Sequence, residues 1–167
     1  MKKIVSTIAL ILLQNIAFAQ IDTIIPAQQK LLTAKLSSYS ANYVVYWEDE
    51  GHVLGAIDIW KRELKVNPKT YAFNWKWYRS DTLYANISTL GNSLTMEPLL
   101  HEADYFNKGK HTFQFRNNTV SIPDSLQITE KLKAFRVNLN LSPFAFPMDL
   151  EILGLLPFQK VSQKFAI

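Results

Sequence analysis

His101-Glu102-Ala103-Asp104 contains metal-ligating residue types, and His111 could pair back to it across the turn at Asn107 to Lys110. A zinc site needs ligands that converge, usually with more than one histidine among them. On a strand, His101 faces away from Glu102 and Asp104. A polar strand end running into a loop accounts for the group better, and no metal is expected. Glu48-Asp49-Glu50 carries enough charge to attract a cation but lacks the Asp/Asn and Gly spacing of a calcium loop. It reads as a solvated hairpin turn. Asp22 with Asp58, or any other carboxylate pair, offers acid and base groups, yet the 14 acidic residues are scattered and no spacing selects a pair. G-x-S-x-G, P-loop and dinucleotide fingerprints are absent, as is any cysteine nucleophile. No catalytic residue and no cofactor are assigned, and the chain reads as a non-enzyme.

One constellation rises above this background. Tyr71-Ala72-Phe73-Asn74-Trp75-Lys76-Trp77-Tyr78-Arg79 places Tyr, Phe, Trp and Trp on its odd positions and mostly polar residues on its even ones. A period of two is that of a strand with one aromatic face. With Tyr43, Trp47 and Trp60 it makes an aromatic group that buries large area and needs a partner surface. Two readings stay open: a packed core, or a platform for a lipid tail, a hydrophobic small molecule or a sugar ring. On the platform reading the ligand-binding residues are Trp47, Trp60, Tyr71, Phe73, Trp75 and Trp77. The alternation also predicts that Asn74 and Lys76 are more exposed than the aromatic positions.

The elements that would position this face form a meander. Ile24 to Lys35 reads as a short helix with Pro26 in its first turn and Leu31, Leu32 and Leu36 on one side. Strands are predicted over Ala41 to Trp47, His52 to Val66, the aromatic stretch, Leu83 to Leu90, Leu94 to Leu100, His111 to Arg116, from Val120 through Leu126 to Ile128, and Arg136 to Leu141. The turns between them fall at Glu48 to Gly51, Asn67 to Thr70, Ser80 to Thr82, Gly91 to Ser93, Asn107 to Lys110 and Asn117-Asn118. Val53, Ile57 and Ile59 are predicted to share one face of the second strand, with Gly55 marking a bulge or a close approach. Ser142 to Phe158 breaks the rhythm. Its prolines cannot sustain a ladder, and Pro147 with Asp149 and Glu151 opens a short helix. Met148, Ile152 and Leu155 would share a face of it, with Leu153 and Leu156 close by. The fold class is therefore mainly β, a curved antiparallel meander or incomplete barrel with one or two short helices.

The ends carry separate signals. Lys2-Lys3, the apolar run Ile4 to Leu13 and Ala17-Phe18-Ala19 make a signal peptide over residues 1–19, cleaved before Gln20. Residues 20–167 then form a single β-rich domain, periplasmic or otherwise exported. Without cysteine this domain must be stabilised by core burial alone. The formal charge is +4, of which Lys2 and Lys3 supply two. So weak a balance, with no basic stripe, argues against nucleic acid. Val161 to Ile167 alternates like a strand and stops in mid-pattern, so truncation and a native terminus are both open.

Tyr43-Val44-Val45-Tyr46-Trp47 with Gly51 and Leu54-Gly55, Leu94 to Pro98, Lys108-Gly109-Lys110, and Phe146-Pro147-Met148-Asp149 through Phe158 together resemble uncharacterised exported β-rich proteins of Gram-negative bacteria. Those are similar to the periplasmic lipoprotein carriers, whose incomplete β-barrel wraps around helices. The resemblance implies a binding or envelope role and supplies no catalytic residue. The expected function is an exported, non-enzymatic envelope protein that binds an apolar or amphipathic, lipid-like ligand on the aromatic face. Its partners would be a hydrophobic small molecule or lipid, or another envelope protein. The alternatives are a structural or interaction module with a plain aromatic core, and the N-terminal part of a larger hydrolase.

Overall fold

The computed structural model describes residues 21–26, 31–158 and 164–166. Residues 1–20, and with them the signal-peptide reading, lie outside the described residues. The chain divides into two units. In the smaller one, β1 (Ile21–Thr23) pairs in parallel with β10 (Lys164–Ala166). Val161 to Gln163 and Ile167 of the expected last strand lie outside the described residues. Among the described residues no helix is long and apolar enough to cross a membrane.

The larger unit is an eight-stranded, unclosed antiparallel sheet in sequential order. Its strands are β2 (Tyr39–Asp49), β3 (His52–Val66), β4 (Thr70–Arg79), β5 (Thr82–Asn92), β6 (Pro98–Tyr105), β7 (Gly109–Arg116), β8 (Thr119–Ser121) and β9 (Arg136–Asn138). Short polar turns make neighbours in sequence neighbours in space, which is why the meander is legible from alternation and punctuation. The tight turns at Glu50-Gly51 and Asn117-Asn118 hold both residues at positive φ, the geometry that matches strand twist in two-residue hairpins.

The β4 alternation is realised from Tyr71 to Lys76, with Tyr71, Phe73 and Trp75 buried, Asn74 intermediate and Lys76 exposed, whereas Trp77 is intermediate like Asn74. Several other expectations are corrected. On β3 the buried side is Asp58, Arg62 and Leu64, with Trp60 half-buried, while Ile57 and Ile59 are exposed. Gly55 sits at φ +79 and the β2–β3 register shifts between Val45 and Trp47, so the bulge expected there is present. Beyond it, Leu64, Arg62 and Trp60 stand opposite Phe73, Trp75 and Trp77 of β4. The aromatic strand thereby draws the even residues inward and leaves the isoleucines outside.

Gly91-Asn92 is no turn. It continues β5, and β6 starts at Pro98 rather than Leu94. The Tyr71 ring lies across Gly91, where a Cβ would stand 2.3 Å from ring carbon Cζ. The turn forms later, where the Asn92 side chain accepts hydrogen bonds from the Leu94 and Thr95 amides. His101 to Asp104 accordingly lies within β6 and not at a strand end.

The strand expected through Leu126 to Ile128 is replaced by a 3-10 turn (Asp124–Leu126) and helix α1 (Glu130–Ala134). Pro123 ends the ladder, and the Thr129 hydroxyl caps α1 by accepting from the Leu132 amide at 3.3 Å. In the expected N-terminal helix, Ala27 to Lys30 lie outside the described residues, and Thr33–Lys35 is only a 3-10 turn. There the Leu32 amide donates to the Leu155 carbonyl at 2.9 Å, leaving Leu32 exposed and Leu31 buried. After a 3-10 turn at Phe146–Met148, the predicted short helix is α2 (Asp149–Gly154). Met148, Ile152, Leu155 and Leu156 are buried, whereas Leu153 is exposed.

Candidate functional site

Cross-strand register assembles the aromatic face. One row runs Tyr39, Leu64, Phe73, Thr89, His101, Phe113, and the next runs Ala41, Arg62, Trp75, Ile87, Ala103, His111. A third begins Tyr43, Trp60, Trp77, Ala85. Tyr71 and Phe73 are fully buried and act as floor. Trp60, Trp75 and Trp77 form a cluster beside them. Trp75 and Trp77 stack at 6.1 Å with 2° between planes, and Trp60 sets its edge against Trp75 at 4.9 Å. Trp47 lies in β2 opposite Leu54, and its side chain lies outside the described residues.

Cations flank the rings. Arg62 stands 4.9 Å from the Phe73 centroid and 5.7 Å from that of Trp75. Arg79 covers Trp77 at 5.4 Å and Tyr84 at 5.0 Å while its Nε donates to Asp58 at 3.1 Å. The Trp60, Trp75 and Trp77 indole N–H groups and the Tyr71 hydroxyl are buried with no hydrogen-bond partner among the described residues. Buried polar groups are nearly always paired, so four donors around one face with no acceptor among the described residues are exceptions.

The other end of the face is closed by a charged cluster that the sequence reading missed. Arg62, 2 % exposed, donates to Glu151 Oε2 at 2.8 Å and to the Pro147 carbonyl at 2.8 Å. The Tyr39 hydroxyl donates to Glu151 Oε1. Burial opposes the Arg62 charge, but the bond to Tyr39 and the charge of Glu151 outweigh it and raise its pKa. Burial, with the Glu151 bond second, pushes the Tyr39 hydroxyl up to about 12. Burial raises Tyr71 as well. The available signal was Arg62 on the same strand face as Trp60 and Leu64, where an arginine must find a buried acceptor.

A tyrosine that ionises less readily when folded contributes stability through its protonated form. That contribution is whole below the ordinary value of 10.0 and is lost as pH rises toward about 12. Between those values the unfolding midpoint of the protein should fall more steeply than that of Tyr39→Phe. Equal slopes in urea titrations across the window would show that Tyr39 contributes nothing to it.

The remaining candidates disperse. His101 Nδ1 lies 3.0 Å from the Thr89 hydroxyl on the aromatic face, and burial lowers its pKa. Glu102 faces the other way and binds Lys110 Nζ at 2.8 Å. His111 is exposed, with Nε2 near the Lys108 carbonyl at 3.3 Å. No three of His, Asp and Glu gather to hold a metal among the described residues. Glu48 and Glu50 are exposed at the first hairpin. Asp22 belongs to the β1–β10 pair, and Asp58 is engaged by Arg79. Set against known proteins, the chain matches no family model, no curated protein and no solved structure.

Proposed function

We propose that the chain is a non-enzymatic, exported protein of the cell envelope that binds an amphipathic ligand at the tryptophan end of its aromatic face. The observation that carries this reading is the set of buried, unpartnered indole N–H groups on Trp60, Trp75 and Trp77. A ligand with an acceptor-rich head satisfies these donors, and its apolar body lies against the rings. Tyr71 and Phe73 serve as the fixed floor, and the Arg62–Glu151 pair anchors α2 beside them. The same burial of Tyr71 and Phe73 supports the second reading, an envelope module whose aromatic face is core throughout.

A neutral monoacylglycerol titrated below its micelle concentration tests the choice. Binding should shift tryptophan emission saturably. Trp60→Phe and Trp77→Phe keep a ring but remove a donor, and at about 1 kcal/mol per hydrogen bond each should weaken binding roughly fivefold. An emission spectrum that does not respond would favour the plain core.

A further inference from the structure

β8 covers only part of β7, since Gln114 to Arg116 pair with Ser121 to Thr119. The outer edge of β7 from Gly109 to Phe113 therefore has no ladder partner among the described strands. The chain leaves β8 at Ile122, passes through the 3-10 turn and α1, and returns at β9 to pair with β8. This excursion borders a half-open pocket of about 660 Å³ against the uncovered edge. Its size falls within the roughly 300–1,000 Å³ usual for small-molecule sites.

The walls are mostly apolar, from Phe113, Ile122, Leu126, Leu132 and Phe135, with the Thr112 hydroxyl turned to Glu102. Phe113 and Phe135 meet at 5.7 Å between centroids, while Leu126 and Phe135 remain exposed. The charged groups on the lining are Lys110 and Lys131, with His111 between Lys110 and Thr112, and no carboxylate lines it. Lys110 is engaged by Glu102 at 2.8 Å, and the neighbouring Glu130 is taken by Lys133 at 2.7 Å. Lys131 has no ion-pair partner among the described residues. A ligand complementary to this lining has one aliphatic body and one anionic head.

We propose that the pocket between the β7 edge and α1 binds a free fatty acid, with its carboxylate at Lys131 and its chain among Phe113, Leu126, Leu132 and Phe135. The site is separate from the tryptophan cluster and does not depend on it. Calorimetric titration of the full chain with dodecanoate, dodecanol and dodecyltrimethylammonium tests it. Dodecanoate should bind most tightly and the cationic amphiphile most weakly. Lys131→Glu alters an exposed side chain and should weaken dodecanoate about tenfold, the scale of a hydrogen bond to a charged group, while leaving dodecanol within about twofold. Leu132→Trp, which fills the pocket, should reduce binding of dodecanoate and dodecanol together. Lys76→Glu, a charge reversal on the exposed face of β4, should leave dodecanoate binding intact. Equal affinity for the three amphiphiles, an unchanged Lys131→Glu, or an equal loss on Lys76→Glu would overturn the assignment.

Discussion

Glu151→Ala should destabilise the protein by about 3–5 kcal/mol, the scale of breaking one half of a buried ion pair. Arg62 is 2 % exposed, and Glu151 takes both a 2.8 Å and a 3.2 Å bond from its guanidinium. Removing the carboxylate leaves a buried cation with the Pro147 carbonyl, a 3.5 Å contact to the exposed Asp149, and Tyr39. The Tyr39 hydroxyl loses its acceptor in the same step. Glu151→Gln keeps an acceptor for both groups and should cost less than Glu151→Ala. The double variant Arg62→Met with Glu151→Met removes both charges and should recover most of the loss, because well-packed apolar residues often equal a buried pair. Urea midpoints of the three variants decide this. A loss below about 1 kcal/mol in Glu151→Ala would mean that water reaches Arg62 and that α2 is not anchored by the pair.

Gly91→Ala should cost about 1–3 kcal/mol, the usual cost of overpacking a core. The added methyl would stand 2.3 to 2.4 Å from Tyr71 Cζ, Cε1 and Oη. Tyr71 is completely buried, so its ring has nowhere to swing. Tyr71→Phe alone should be neutral or slightly stabilising, since it deletes a hydroxyl that has no partner among the described residues. It would not rescue Gly91→Ala, because the clashing ring carbons remain. Tyr71→Leu combined with Gly91→Ala should lose less than the two single changes added together, a coupling of about 0.5–3 kcal/mol. Strict additivity in thermal or urea unfolding would show that ring and glycine are not in contact.

Local pattern was enough to set the class of fold and the face of its central strand. Alternation over Tyr71 to Arg79 and turn residues spaced along the chain are local properties, and a period of two leaves a strand only two ways to stand. Pro147 followed by acidic residues likewise marks the short helix before α2 exists as a packed element. Long-range packing took over wherever a distant partner sets the outcome. Ile57 and Ile59 are exposed because Gly55 shifts register and the ladder to β4 turns Trp60, Arg62 and Leu64 inward. Gly91 looks like a turn in sequence, but its missing Cβ is occupied by a ring from the neighbouring strand. Leu126 to Ile128 had strand-like spacing and no strand to join, so Pro123 and the Thr129 cap took the chain into a helix instead. Arg62 and Glu151 lie 89 residues apart, and no local pattern pairs them. Only the packing of α2 onto the sheet removes both from water, and that desolvation makes them a pair.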